Sequence, residues 1–285
     1  MRLAMQTTAD VRLLLRDNRV QQQVLTLRDG DSCHNQGFDV ETAGSTLAPI
    51  EHLLVATKSY DTLAALEALR PRLNANSRLY LMQNGLGSQH AVAQAFPELA
   101  ILAVTTTEGA YRQGRFDITH AGRGTTWVGP FNGRADLAHA EEAATLFNQA
   151  GFATQATSDI NAKLWLKLAI NCAINPFTAL LDCPNGELPQ QAFFLERISP
   201  LCEEIASAMG TAGLVVTAAE LQSQVETVIQ GTARNISSML QDIRAGRCTE
   251  IDAINGYLVS VCEQQGLPCP INRELVQLVK AREPV

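Results

Sequence analysis

No C-x-x-C pair occurs in the 285-residue chain, whose seven cysteines lie scattered at 33, 172, 183, 202, 248, 262 and 269. An odd, dispersed set argues against a disulfide framework and fits free thiols in a reducing cytoplasm. No H-x-x-x-H pair exists among the five histidines, so no zinc or iron site is expected. No Lys/Arg-rich run appears and the net charge is -7, which sets nucleic acid aside as a partner. No apolar run reaches the length that spans a bilayer, and the opening Met1–Asp10 has one early Arg but no long apolar core, so it is no secretory signal. Internal repeats and low-complexity segments are missing too, as is any Gly-x-Gly-x-x-Gly turn. What is present is ordinary: 46% hydrophobic and 18% charged residues, enough for one or two domains with real cores.

The first half alternates short apolar runs with helical spacing. Val11–Arg16 reads as a strand followed by a turn at Asp17-Asn18, and 19 to about 40 as a strand pair around the hairpin dipeptide Asp29-Gly30. Leu53–Thr57, Arg78–Met82 and Ala100–Val104 read as buried strands, with helices over 60–69 and 89–96 between them. That alternation predicts βαβ units and a mostly parallel sheet, while Phe116–His120 and Thr125–Gly129 suggest antiparallel edge strands. From about Asp159 the pattern is helical: an apolar helix over 164–181, kinked or broken near Pro176; one over 188–212; one over 221–243 opened by the capping box Thr217-Ala-Ala-Glu220; one over 250–265; and a last one over 272–280. The domain boundary belongs near 158, giving domains 1–158 and 159–285, and the cleft between the halves is the default pocket.

Ligands of an open parallel sheet sit beyond the carboxyl ends of its strands. Arg16, Lys58 and the loop Asn84-Gly-Leu-Gly fall there. An Arg at the end of the second strand of a dinucleotide fold can neutralise a 2′-phosphate; the alternative for Arg16, with Asp17 beside it, is a solvated strand-end charge. The helical half carries a sharper signal. Lys167, Asn171 and Asn175 recur at four-residue spacing and so line one helix face beside Leu, Ile and Ala. A Lys in a partly apolar cleft can be drawn toward the working pH and protonate a ketone oxygen, and Asn amides hold hydroxyls and carboxylates. The bland reading is a snorkelling Lys among packed amides. The loop Cys183-Pro-Asn-Gly-Glu-Leu188 can swing Asn185 back over that face; Asn235 and Ser238, three apart, share a helical face; and Glu250 opens the next helix, where the helix dipole favours an acid in any case.

The blocks K-L-A-x-N-C-x-I-N-P, C-P-N-G-E-L, N-I-S-S-M-L-Q-D-I-R-A and T-E-I-D-x-I-N-G resemble the ketopantoate reductase (2-dehydropantoate 2-reductase) family, over about Val11 to Lys280. The resemblance implies an α/β Rossmann-like N-terminal domain followed by an all-α domain of the 6-phosphogluconate dehydrogenase C-terminal type. It implies NADPH-dependent reduction of 2-dehydropantoate to pantoate, a step of pantothenate and coenzyme A synthesis. Lys167 is then the general acid; Asn171, Asn175, Asn185, Asn235 and Ser238 are substrate ligands; Glu250 meets the cofactor side and helps orient Lys167 or the bound ligand. Arg16 and Lys58 face the NADPH phosphates, Asn84 contacts the cofactor near its nicotinamide end, and Ala110 supplies a backbone contact. The expected partner is a small 2-oxoacid, with a homodimer left open, and neither membrane nor nucleic acid.

The family opens with a strand and a Gly-x-Gly-x-x-Gly turn ahead of the region matching Met1, about fifteen residues that are not in this chain. Two rivals to the full reductase follow. One is a non-catalytic remnant kept as a folding or dimerisation unit; the other is a reductase of a different branched 2-oxoacid.

Overall fold

The structure, a computed structural model, describes residues 1–16, 21–44 and 48–284. The expected turn at Asp17-Asn18 and the start of the strand pair at Arg19 lie outside the described residues. The chain divides into two compact units. One comprises Met1–Thr57, Asp61–Gln83 and Gln89–Ile160; the other comprises Lys58–Tyr60, Asn84–Ser88 and Asn161–Val285.

The elements of the first part of the chain are α1 (Arg2–Gln6), β1 (Leu13–Leu14), β2 (Gln22–Asp29), β3 (Ser32–Glu41), β4 (His52–Val55), α2 (Ser59–Leu69), β5 (Arg78–Leu81), α3 (Ser88–Ala95), β6 (Ala100–Thr106), β7 (Gly109–Gly114), β8 (Asp117–Gly122), β9 (Thr126–Pro130), α4 (Leu137–Gln149) and β10 (Thr154–Ala156). They form two five-stranded sheets, in the orders β1-β3-β2-β8-β7 and β10-β9-β6-β5-β4. The parallel core was legible: β4 pairs β5 and β5 pairs β6, all parallel. The antiparallel strands were legible too, but their places differ from the expectation. β9 runs antiparallel to β6 yet is covered on its far side by β10, and β8 lies between β7 and β2, so neither is an edge.

Alternation along the strands builds two apolar layers. Leu53, Val55, Leu79, Leu81 and Ile101 point to one face with Leu66 of α2 and Val92 of α3. Tyr80, Leu102, Val104 and Val128 point to the other, against Ala140, Ala144 and Phe147 of α4. Sequence reading leaves α4 unassigned, because a buried face made largely of alanine barely contrasts with its surroundings. Asp136 fixes its start, accepting the His139 N–H at 3.0 Å in a capping box.

The second unit is helical: α5 (Ile160–Leu181), a 3-10 segment over Asn185–Gln190, α6 (Ala192–Leu195), α7 (Ile198–Thr211), α8 (Ala218–Gly231), α9 (Ser238–Arg244), a π turn over Asp252–Gly256, α10 (Tyr257–Gln265) and α11 (Pro270–Lys280). Four sequence expectations change here. The helix expected over 188–212 is three pieces, because the chain is extended at Gln191 (φ -99, ψ 119) and starts afresh. The helix expected over 221–243 stops at Gly231 and restarts at Ser238 under the Ser237 cap, whose hydroxyl accepts the Leu240 N–H at 3.1 Å. Between the two, the carbonyls of Ala233 and Asn235 accept the backbone N–H groups of Gly186 (2.9 Å) and Asn185 (3.1 Å), bonds that a continuous helix would have kept internal. Glu250 precedes the π turn instead of opening an α-helix. Finally, of the kink or break expected near Pro176, the break does not occur, and α5 continues to Leu181.

By length and composition α5 could cross a membrane, contrary to the expectation that no run reaches that length. However, 67% of its most apolar stretch is buried inside the protein, as in a core helix. Leu168, Ala169, Cys172, Ala173 and Phe177 are its buried face.

Candidate functional site

Within the helical unit, chain segments far apart in sequence converge on one carboxylate. Glu250 is 6% exposed and accepts three groups. The backbone N–H of Ser59, at the start of α2, donates to its Oε1 at 3.0 Å. The Lys58 ammonium and the Asn84 amide reach its Oε2 at 3.3 and 3.4 Å. Lys167 lies within electrostatic reach. A buried carboxylate needs this many donors, since each unmatched lone pair would cost desolvation energy with nothing returned.

Lys58 is shared. Its Nζ also sits 2.6 Å from Oδ2 of Asp242, which in turn takes two bonds from Arg247 at 3.0 and 2.9 Å. Burial disfavours the charge on Lys58, yet the attraction of Glu250 and Asp242 outweighs it and raises the pKa above the usual lysine value. In this structure Lys58 is thus an ion-pair partner of two acids. Asp242 is 3% exposed and was not singled out in the sequence; its only signal is that it stands one helical turn after Ser238.

Lys167 is the opposite case. Burial strips water from its ammonium and draws its pKa down to about 8, while Glu250 pulls it back up. Two lysines near one acid are therefore pushed apart: Lys58 stays charged, and Lys167 titrates at about pH 8.

The Asn84 loop is held by backbone geometry. Leu86 N–H donates to the carbonyl of Ala253 at 2.9 Å. Gly85 has φ +76, and a Cβ there would lie 2.1 Å from that carbonyl oxygen. Only glycine both adopts the left-handed backbone and lets the two segments approach so closely. Two turns of sequence, Asn84–Gly87 and the π turn, are thereby locked together, and π turns interrupt helices frequently at functional sites.

Asn175 and Asn185 are buried and Asn171 is half-buried on α5. Asn185 Nδ2 donates to the Thr232 hydroxyl at 2.9 Å, and its Oδ1 is buried with no hydrogen-bond partner. Gly186 permits the loop's seating, because a Cβ would come within 2.7 Å of the Ala233 side chain. Asn235 and Ser238 are exposed and do not share a helical face: Asn235 lies in the turn before α9, and Ser238 is the first residue of α9. Asn235 instead uses its main-chain carbonyl to hold Asn185. Of the remaining candidates, Arg16 and Ala110 belong to the other unit. Arg16 is exposed and pairs with Asp61 at 3.0 Å, and Ala110 is on β7 opposite His120. No group of three or more His, Cys, Asp or Glu side chains suited to a metal ion occurs among the described residues.

The sequence model described as ketopantoate reductase PanE/ApbA matches residues 1–133, and that described as the ketopantoate reductase PanE/ApbA C terminal matches 159–283. The 2-dehydropantoate 2-reductase of Vibrio cholerae is 38% identical over 252 residues, which cover 88% of this chain and 82% of that protein. A similar match, 34% over 229 residues, covers 80% of the chain and 75% of the 2-dehydropantoate 2-reductase of Archaeoglobus fulgidus. The crystal structure of the probable 2-dehydropantoate 2-reductase of Bacillus subtilis superposes with a TM-score of 0.81 at 26% identity, covering 99% of this chain and 94% of that one.

Proposed function

The chain belongs to the ketopantoate reductase family, and we propose that it reduces the keto group of 2-dehydropantoate to the hydroxyl of pantoate with NADPH, in the cytoplasm. The observation that carries this reading is Lys167, half-buried on α5, whose pKa near 8 suits a general acid at neutral pH, with Glu250 answering its charge.

The residues present fit a nicotinamide dinucleotide. Gly85 and Gly87, half-buried at φ +76 and +101, shape the Asn84 loop, and the Asn84 amide at its start offers a polar contact to the cofactor. Arg16, a surface guanidinium just past β1, offers charge for a 2′-phosphate. When bound, NADPH supplies the hydride that adds to the keto carbon.

The chain's own groups do the rest. Lys167 gives a proton to the keto oxygen as negative charge develops there, so that hydride plus proton make the alcohol. Glu250 keeps that ammonium from losing its proton too early and, through Ser59 and Asn84, ties it to the loop at the end of β5. Asn171, Asn175 and Asn185 supply amides for the substrate's carboxylate and its hydroxyl. The unpartnered, buried Oδ1 of Asn185 is an acceptor suited to a substrate hydroxyl. Ser238 presents a second hydroxyl from the start of α9.

Turnover of ketopantoate and 2-oxoisovalerate with NADPH tests the reading. A site built to bond a hydroxyl should favour ketopantoate by at least about 100-fold in kcat/KM. Equal turnover of both would indicate another branched 2-oxoacid, and no saturable NADPH binding would remove the reductase reading.

A further inference from the structure

A proline inside a helix removes one main-chain donor, and the carbonyl four residues earlier loses its partner. In α5 that proline is Pro176 and the carbonyl is that of Cys172. Cys172 is fully buried, so bulk water cannot repair the loss. The bond is made from elsewhere in the chain: Asn255 Nδ2 donates to the Cys172 oxygen at 3.1 Å.

The orientation of that amide is forced. Glu204 accepts only, and it takes the N–H groups of Ile271 (2.7 Å) and Asn272 (2.9 Å) together with Asn272 Nδ2 (2.7 Å). The Asn272 side chain must therefore turn its oxygen the other way, toward Asn255, whose Nδ2 donates to it at 2.9 Å. With its nitrogen committed to two acceptors, Asn255 leaves its own oxygen buried and without a hydrogen-bond partner. Such an orphan acceptor is destabilising, and a core position with no other duty would shed it by becoming apolar.

The position explains why it is kept. Asn255 lies in the π turn, whose Ala253 carbonyl docks the Asn84 loop and which begins two residues after Glu250. Cys172 lies on α5 between Lys167 and Asn171 on one side and Asn175 on the other. One side-chain amide thus joins the helix that presents the proton donor and substrate amides to the segment that presents the carboxylate. We propose that Asn255 is a positioning residue of the reductase site: it replaces the N–H that Pro176 lacks and so holds Lys167, Asn171 and Asn175 in register with Glu250. This rests on the function proposed above.

A double-mutant cycle with Asn255→Ala and Pro176→Ala tests it, because alanine at 176 restores a main-chain N–H to the Cys172 carbonyl. Asn255→Ala alone should lower kcat with ketopantoate about 10- to 100-fold, the scale of a small misplacement of reacting groups, with NADPH affinity unchanged. In the Pro176→Ala background the same substitution should cost far less. A folded Asn255→Ala protein with wild-type kcat overturns the proposal, and so does an equal loss in both backgrounds. Should Asn255→Ala fail to fold, a folded double mutant supports the proposal and an unfolded one overturns it. If the wild-type protein does not reduce ketopantoate, the functional reading fails by itself. The Asn255–Pro176 coupling is then read from thermal midpoints of the four proteins, and additivity there overturns the link.

Discussion

The carboxylate of Glu250 accepts the backbone N–H of Ser59 at 3.0 Å, and these residues are nearly two hundred positions apart in the chain. Ser59 begins α2, so the donor is one of the N–H groups that every helix leaves unmatched at its start. Glu250 therefore satisfies the helix terminus, and the positive end of the helix dipole favours its charge in return. The same carboxylate raises the Lys167 pKa, so the proton transfer proposed for that lysine would be anchored to a backbone feature that side-chain substitution at Ser59 leaves in place.

Loss of the Lys167 ammonium should strike the chemical step. Lys167→Ala is expected to reduce kcat with ketopantoate by about 10²- to 10⁴-fold, the usual range for a general acid. Its effect on NADPH dissociation, followed by fluorescence titration, should be slight. A variant retaining near-normal turnover would take Lys167 out of the acid role.

The pH profile should carry the signature of that acid. Lys167 must be protonated to give its proton, and its pKa stands at about 8, so kcat should fall as pH rises through that value. Glu250 raises the Lys167 pKa. Glu250→Gln should therefore move the alkaline limb to lower pH. Measured kcat profiles of the two proteins with limbs at the same pH would show that Glu250 does not act on Lys167.

Gly85→Ala should destabilise the fold around the Asn84 loop. The new Cβ would stand 2.1 Å from the Ala253 oxygen, and the backbone there has φ +76. The backbone conformation alone costs an alanine about 1–3 kcal/mol, and the clash adds to it. Denaturant unfolding compared with the wild type measures the loss; Gly30→Ala, where φ is +59 but nothing lies within 4 Å, provides the control with conformational cost only.

A separate pH effect on stability belongs to His120. Its ring lies between Asp29, 2.9 Å from Nδ1, and Glu108, 2.6 Å from Nε2, with Arg2 also on Asp29. The bond to Asp29 is the largest influence; burial opposes it, Glu108 assists, and the pKa is raised. A group charged more readily when folded stabilises fully below its unfolded pKa of about 6.5 and loses that contribution as pH rises through the folded value. Thermal midpoints should thus decline on the alkaline side of about pH 6.5, and His120→Asn should flatten that slope. An unchanged slope in the variant would place the titration elsewhere.

The parallel strands were legible because Leu53–Val55, Arg78–Leu81 and Ala100–Val104 are short apolar runs between helical spacings. The Lys167, Asn171, Asn175 series was legible because its period is helical. Asp242 and Asn255 were not, since each sits inside a block without a periodic or chemical signal of its own. The break between α8 and α9 was hidden for another reason: the Leu221–Ile243 stretch keeps helical spacing throughout, and it is the Asn185-Gly186 loop that captures the carbonyls in between. Local preference is a weak prior that a tertiary hydrogen bond can override.

Composition and spacing by themselves determined an α/β half, a helical half, a helix face bearing one ammonium and two amides, and a chain whose cysteines have no reason to pair. Which charges meet was decided only on folding. Lys58 bridges Asp242 and Glu250, Lys167 is left to titrate near pH 8, and Asn255 mends the helix that Pro176 would otherwise leave with an orphaned carbonyl. The physical reason is range: periodicity reports on neighbours a turn apart, whereas desolvation and hydrogen-bond satisfaction depend on groups that the sequence places far away.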